Sequence, residues 1–308
     1  MDTGISQLLS ALYPVFTLIG LGYLMRRCGI PGGDFWAGAE RLTYFVLFPA
    51  LLVNRLAATP MSLGSLGRLA IAALLLMGLM TLLLLAFRRQ IAADGPDFSS
   101  VYQGAIRFNT YLGLAAAAAL FGGEGLAQAA LLIAVLIPLV NVLCVGVLAR
   151  YAGDRPTPFA GTLRALLRNP LILACAAGIG LSGTGLGPPP LISPVLDILA
   201  RAALPLGLLA VGAGLRPLGA AQHFLPLALA LALKLGLMPL LVIAVTAMLP
   251  LSELERATLL LFAALPGAPS AYLLARQMGG NAELMAAIVT AQTGLALFSL
   301  PLVLWLLG

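Results

Sequence analysis

AIRFNTYLGLAAAAAL, residues 105–120, would form one unbroken apolar helix but for its centre. Arg107, Asn109, Thr110, Tyr111 and Gly113 stand where a lipid-buried helix would carry leucine or valine. A second interruption, LPGAPS at residues 265–270, lies in the other half of the chain. Pro266 and Pro269 lack an N–H, and Pro269 would clash with the carbonyl four residues back if a helix continued, so a break near Gly267 is expected. Exposed polar backbone has no place in lipid, and each break must line a cavity or pack against protein. Interruptions placed alike in two halves are the sequence sign of a secondary transporter's substrate site.

The composition around these stretches is that of a polytopic membrane protein. Of 308 residues, 61% are hydrophobic and 9% charged, with a mean hydropathy of +1.05, whereas a soluble domain carries about 25% charged residues. A spanning helix needs roughly 20 mostly apolar residues. Such windows recur at 5–26, 36–57, 66–87, 99–121, 126–149, 165–183, 191–214, 223–248, 254–278 and 282–307, so ten spans are expected and no extramembrane domain fits between them. The segment before Arg26 has no basic leader and is long enough to span, and reads as the first helix rather than a cleaved signal.

Arginine placement orients the spans. Threaded alternately, the joints after odd-numbered spans carry Arg26, Arg27, Arg41, Arg88, Arg89, Arg150, Arg155, Arg164, Arg168, Arg216 and Arg276, against Arg55, Arg68 and Arg256 on the other side. Positive residues are retained in the cytoplasm, which puts both termini on the non-cytoplasmic side. The high pI therefore reflects membrane orientation, and no nucleic-acid partner is expected. The longest polar joint, 152–163, divides a first five-helix repeat (1–151) from a second (164–308). An odd number of spans per half inverts the second half relative to the first.

The residues expected at the substrate site follow from the breaks. Asn109, Thr110, Tyr111 and Gly113 line the first, and Pro266, Gly267, Pro269 and Ser270 the second. Broken helices present N-termini whose N–H groups and positive dipole ends attract an anion. Asn141, following Pro138 at similar depth, and Lys234, the chain's only lysine, are candidates for the polar wall. Lys234 stands about ten residues into the eighth span, roughly 15 Å along the helical rise, which is deep for snorkelling. Its alternative role is a structural donor to unwound carbonyls. Arg107 is read as shallower, able to reach the cytoplasmic headgroups or to contribute positive potential at the inner mouth that helps collect anions. Asp197 and Arg201, four apart, are expected to satisfy each other. His223, the single histidine, reads as a surface residue in a loop, and Cys28, Cys144 and Cys175 show neither metal spacing nor a paired framework. There is no buried carboxylate pair near the breaks, no phosphate-cradling glycine loop and no metal-ligand cluster in the sequence.

In FPALLVNRLA (residues 48–57), RFNTYLGLAAAAALFGGEGLAQAAL (107–131), PLVN (138–141), LPLGLLAVGAGL (204–215), KLGLMPLL (234–241) and LPGAPSAYLLA (265–275), the chain resembles the auxin efflux carrier family. That family includes bacterial transporters annotated for malonate and the plant PIN auxin carriers. The resemblance spans nearly the whole chain and implies ten helices in two inverted five-helix repeats. It further implies scaffold and transport domains interleaved across both repeats, with discontinuous fourth and ninth helices crossed as in bile-acid symporters and sodium/proton antiporters. It also implies a small organic anion as substrate, a homodimer, and Asn109 and the Pro266–Pro269 region as binding positions. The chain lacks the plant carriers' long central loop and is similar to compact bacterial members, which implies a bacterial inner membrane and a small metabolite rather than auxin.

The expected activity is secondary or facilitative transport of a carboxylate by alternating access, with neither enzyme chemistry nor a cofactor. Sodium-linked, proton-linked and uncoupled movement stay open. The rival within transport is a sodium-coupled bile-acid-type symporter using Gln292 and Thr293. The rival of another class is a non-transporting membrane sensor or scaffold.

Overall fold

A chain this apolar must satisfy its backbone hydrogen bonds internally, and helices do so within each segment. The computed structural model describes residues 2–32, 34–59, 63–92, 94–152, 168–184, 187–188, 190–216 and 223–307. It is 86% helix, with no strand among the described residues. Among the described residues, seven helical stretches are long and apolar enough to cross a membrane. Expected spans four and five fall within one such stretch, Gly95–Tyr151. Span six appears as the shorter Pro170–Gly183, and span nine is divided into Glu253–Ala264 and Ser270–Met278. Apart from Ala152, the expected joint at 152–163 lies outside the described residues.

The chain gathers into two units, each drawn from both halves of the sequence. The first comprises Met1–Leu69, Tyr111–Ile137 and Arg164–Gly214. In it Asp2–Arg27 packs along Ser193–Gly214, and Phe48–Ala58 along Pro170–Gly183. Gly22 and Gly212 allow the first pair to touch backbone to backbone, because a Cβ on Gly22 would run into Leu209 and one on Gly212 into Ile19. Asn54 Nδ2 donates to Asp197 Oδ1 at 2.6 Å. Asp197 is therefore satisfied from another helix, which corrects its expected pairing with Arg201 one turn away.

The second unit comprises Ala70–Thr110, Pro138–Leu163 and Leu215–Gly308. Gly95–Ile106 and Glu253–Ala264 are its two short arms, each ending at a break. Both start on side-chain caps: Asp94 Oδ1 accepts from Asp97 N at 2.8 Å, and Ser252 with Glu255 forms a reciprocal capping box. Phe224–Leu231 leads into a wide π-turn, Ala232–Leu237, just before Pro239. The first unit repeats this device, with the π-turn Thr43–Leu47 preceding Pro49. A wider turn gives the pyrrolidine ring room against the carbonyl it would otherwise strike.

Candidate functional site

The two arms end alike. Arg107 (φ −73°, ψ 152°) and Leu265 (φ −65°, ψ 146°) both leave the helix in extended conformation. Residues 107–109 and 265–269 are non-helical, and helices resume at Thr110 and Ser270. The chain thus breaks at both positions where the sequence demanded it. The helix begun at Thr110 ends its first leg at Gly122 (φ 66°, ψ −151°), a conformation reserved for glycine.

The breaks meet within the second unit. Asn109 N donates to Pro266 O at 2.8 Å, and the Phe108 and Phe262 rings contact edge to face, 5.3 Å between centroids. Asn109 is 1% exposed, and Pro266 and Gly267 are buried. Thr110 is half-buried, Pro269 half-buried and Ser270 exposed. Not every expected N–H is open at the second helix start: Ala271 N turns back to Ala268 O at 3.0 Å and Tyr272 N to Pro269 O at 3.1 Å. What remains there is the dipole end and the Ser270 hydroxyl.

Gln292 holds the second break. Its Oε1 accepts from Gly267 N at 2.8 Å, while its Nε2 donates to Gly104 O at 3.0 Å and Ala230 O at 3.1 Å. One buried amide thereby joins the first arm, the second break and the helix leading to Lys234. Thr293 Oγ1 donates to Val289 O of its own helix at 2.7 Å. The two side chains read as a coupling-ion site are engaged by the protein itself.

Arg107 holds the first break. It is 9% exposed. Nη2 donates to Asn141 Oδ1 at 2.8 Å and Nε to Cys144 Sγ at 3.4 Å. The guanidinium is thus bonded within the protein, and Asn141 Oδ1 serves it from 34 residues away.

Lys234 is 1% exposed and sits in the π-turn Ala232–Leu237, which packs against both arms. No carboxylate pairs with it among the described residues. Tyr111 and Gly113 belong to the first unit, where the Tyr111 ring stacks on Phe48, 4.5 Å between centroids and 14° from parallel.

Sequence reasoning missed one cluster. His223 Nδ1 lies 3.0 Å from Asp97 Oδ2, and Asn281 Nδ2 donates to Asp97 Oδ1 at 2.7 Å and approaches His223 Nε2 at 3.3 Å. His223 is thus a bonded, partly buried residue rather than a surface one. The available signals were its uniqueness and an Asn281 placed to cap the following helix, as it does by accepting from Leu284 N at 2.9 Å.

A family model described as a membrane transport protein matches residues 159–304. There is no match to the chain among curated proteins.

Proposed function

We propose that the chain is a membrane transporter of a small organic anion: a domain of the auxin efflux carrier family matches residues 159–304, and seven helical stretches among the described residues are long and apolar enough to cross a membrane. The carboxylate binds where the two breaks meet. Asn109, Thr110 and Ser270 supply neutral donors, the helix starts at Thr110 and Ser270 supply positive dipole ends, and Lys234 supplies the counter-charge. The observation that carries this reading is the direct Asn109 N to Pro266 O bond, which unites two interruptions 157 residues apart in sequence at one buried point. Lys234 strengthens it: an uncompensated buried ammonium is costly, and a carboxylate offsets that cost.

The reading includes ten spans in two inverted halves, with the crossover exposed to each side of the membrane in turn. Two features support it: both units mix segments of the two halves, and first-half helices pair with second-half helices, Asp2–Arg27 with Ser193–Gly214 and Phe48–Ala58 with Pro170–Gly183. Arginine distribution favours a cytoplasmic position for the odd-numbered joints, in a bacterial inner membrane. A homodimer rests on resemblance alone.

The test is uptake into proteoliposomes of malonate, other short dicarboxylates and indole-3-acetate, with and without sodium and a pH gradient. Saturable uptake of one acid, reduced at least about tenfold in folded Asn109→Ala, is expected; a tenfold loss corresponds to about 1.4 kcal/mol. Absence of flux for every acid from folded protein would sink the proposal and favour the sensor.

A further inference from the structure

The cluster at His223 has a definite proton arrangement. An ionised Asp97 only accepts hydrogen bonds, and Asn281 Nδ2 has two hydrogens to give. With Asn281 donating to Asp97 Oδ1 at 2.7 Å and the imidazole 3.0 Å from Oδ2, His223 must donate through Nδ1. A neutral ring so placed leaves Nε2 as acceptor, facing the second Asn281 hydrogen at 3.3 Å. All three side chains are then satisfied in a closed ring of hydrogen bonds. A second proton on the imidazole sits on Nε2 and turns that acceptor into a donor. Two donors then face each other, and the Asn281–His223 bond is lost.

These side chains occupy the starts of three helices. Asp97 lies in the first turn of Gly95–Ile106, the arm that ends at the first break. His223 precedes Phe224–Leu231, which leads to Lys234. Asn281 precedes Ala282–Leu307, which carries Gln292. Further bonds tighten the junction: Ser100 Oγ donates to Asn281 O at 2.9 Å and Asn281 N to Pro96 O at 3.3 Å. Charged groups on or beside the elements that meet here are Asp94, Glu283, Arg276 and Arg216, with Arg88 and Arg89 on the short helix against Gly95–Ile106 and Glu253, Glu255 and Arg256 at the start of the helix against Ala282–Leu307. Asp94 caps Asp97 N, and the Arg216 guanidinium lies over the Tyr272 ring at 4.2 Å.

We infer that Asp97, His223 and Asn281 form a proton-binding site, in which uptake of a proton at His223 Nε2 releases Asn281 from the ring and turns the His223–Asp97 contact into an ion pair, changing how the three helices that carry and hold the breaks are tied together. His223 is thereby a positioning residue. Its effect on transport rests on the proposed function; the proton arrangement does not.

Because the chain has one histidine, protein labelled with ¹⁵N-histidine yields one imidazole, whose tautomer is read directly by NMR. At about pH 8, where a histidine is ordinarily neutral, the proton is expected on Nδ1. Asn281→Ser keeps a helix-capping hydroxyl but is too short to reach the ring; with Asp97 still accepting from Nδ1 the proton should stay there, while loss of the Asn281 donor should shift the Nε2 resonance. An Nε2–H ring in the wild-type protein, or an unchanged signal in Asn281→Ser, overturns the site whatever the flux measurements show. For the positioning role, uptake is compared from about pH 8 to about pH 5. The wild-type profile should change across this range and flatten in His223→Gln; superimposable profiles would refute that role. Absence of flux alongside an Nδ1–H ring would instead remove the transport reading and leave the proton site standing.

Discussion

The first and second breaks arrive at the same extended backbone turn by opposite chemistry. At Arg107–Asn109 every residue retains its N–H, and the turn is stabilised by burying a guanidinium against Asn141 and Cys144. At Leu265–Pro269 two prolines remove donors, and the remaining burden falls on a single amide, Gln292. The first break is thus held by a charge that needs its partners, the second by a neutral clamp that reaches into three segments. A helix forbidden by proline still needs something to receive its freed groups, and a helix that proline does not forbid can be opened by a side chain that rewards opening.

Gln292→Leu should be the most damaging change. It strands Gly267 N, Gly104 O and Ala230 O, all held by this one side chain, and each unsatisfied buried group costs about 1–3 kcal/mol. The expected loss is about 3 kcal/mol or more, seen as a collapse of the monodisperse fraction and a lower unfolding temperature in detergent. Gln292→Glu sharpens the point, because a carboxylate can still accept from Gly267 but cannot donate to either carbonyl. It should damage the protein nearly as much; a mild phenotype would mean that the two carbonyl bonds contribute little.

Asn141→Ala tests the first break. It leaves Arg107 Nη2 without its oxygen acceptor, and hydrogen bonds to charged groups contribute about 1.5–3 kcal/mol. Stability should fall by about 2 kcal/mol on that scale, with Asn141→Asp restoring an acceptor. If Asn141→Ala unfolds at the wild-type temperature, the break does not depend on its guanidinium, and the contrast with the second break disappears.

Pro269→Ala should matter least, at about 1 kcal/mol or below, the ordinary size for a surface-proximal substitution. Pro269 is half-buried, and Gln292 and Pro266 remain in place. Loss of folded protein in this variant would shift credit for the second break from the clamp to the prolines.

Much of the architecture was legible from local chemistry. Proline's missing N–H marked Pro266–Pro269, and polar residues inside an Ala- and Leu-rich run marked Arg107–Thr110. Side-chain partners were much less so. Arg107 could equally have extended toward solvent along its own helix, and Asp197 had a plausible partner four residues away in Arg201. His223 carried no motif, because a histidine becomes informative only when the acid and amide that face it are known.

Sequence alone determined that this chain is a helical membrane protein interrupted twice, since transfer of residues into lipid and the loss of a backbone donor are costs attached to residue types wherever they stand. Tertiary structure alone decided what receives the groups those interruptions release. Gln292 serves Gly104, Ala230 and Gly267, and Asn54 serves Asp197 from 143 residues away. An amide can pair with any donor or acceptor, so its partner is chosen by which segments packing brings within about 3 Å, and no property of the residue itself records that choice.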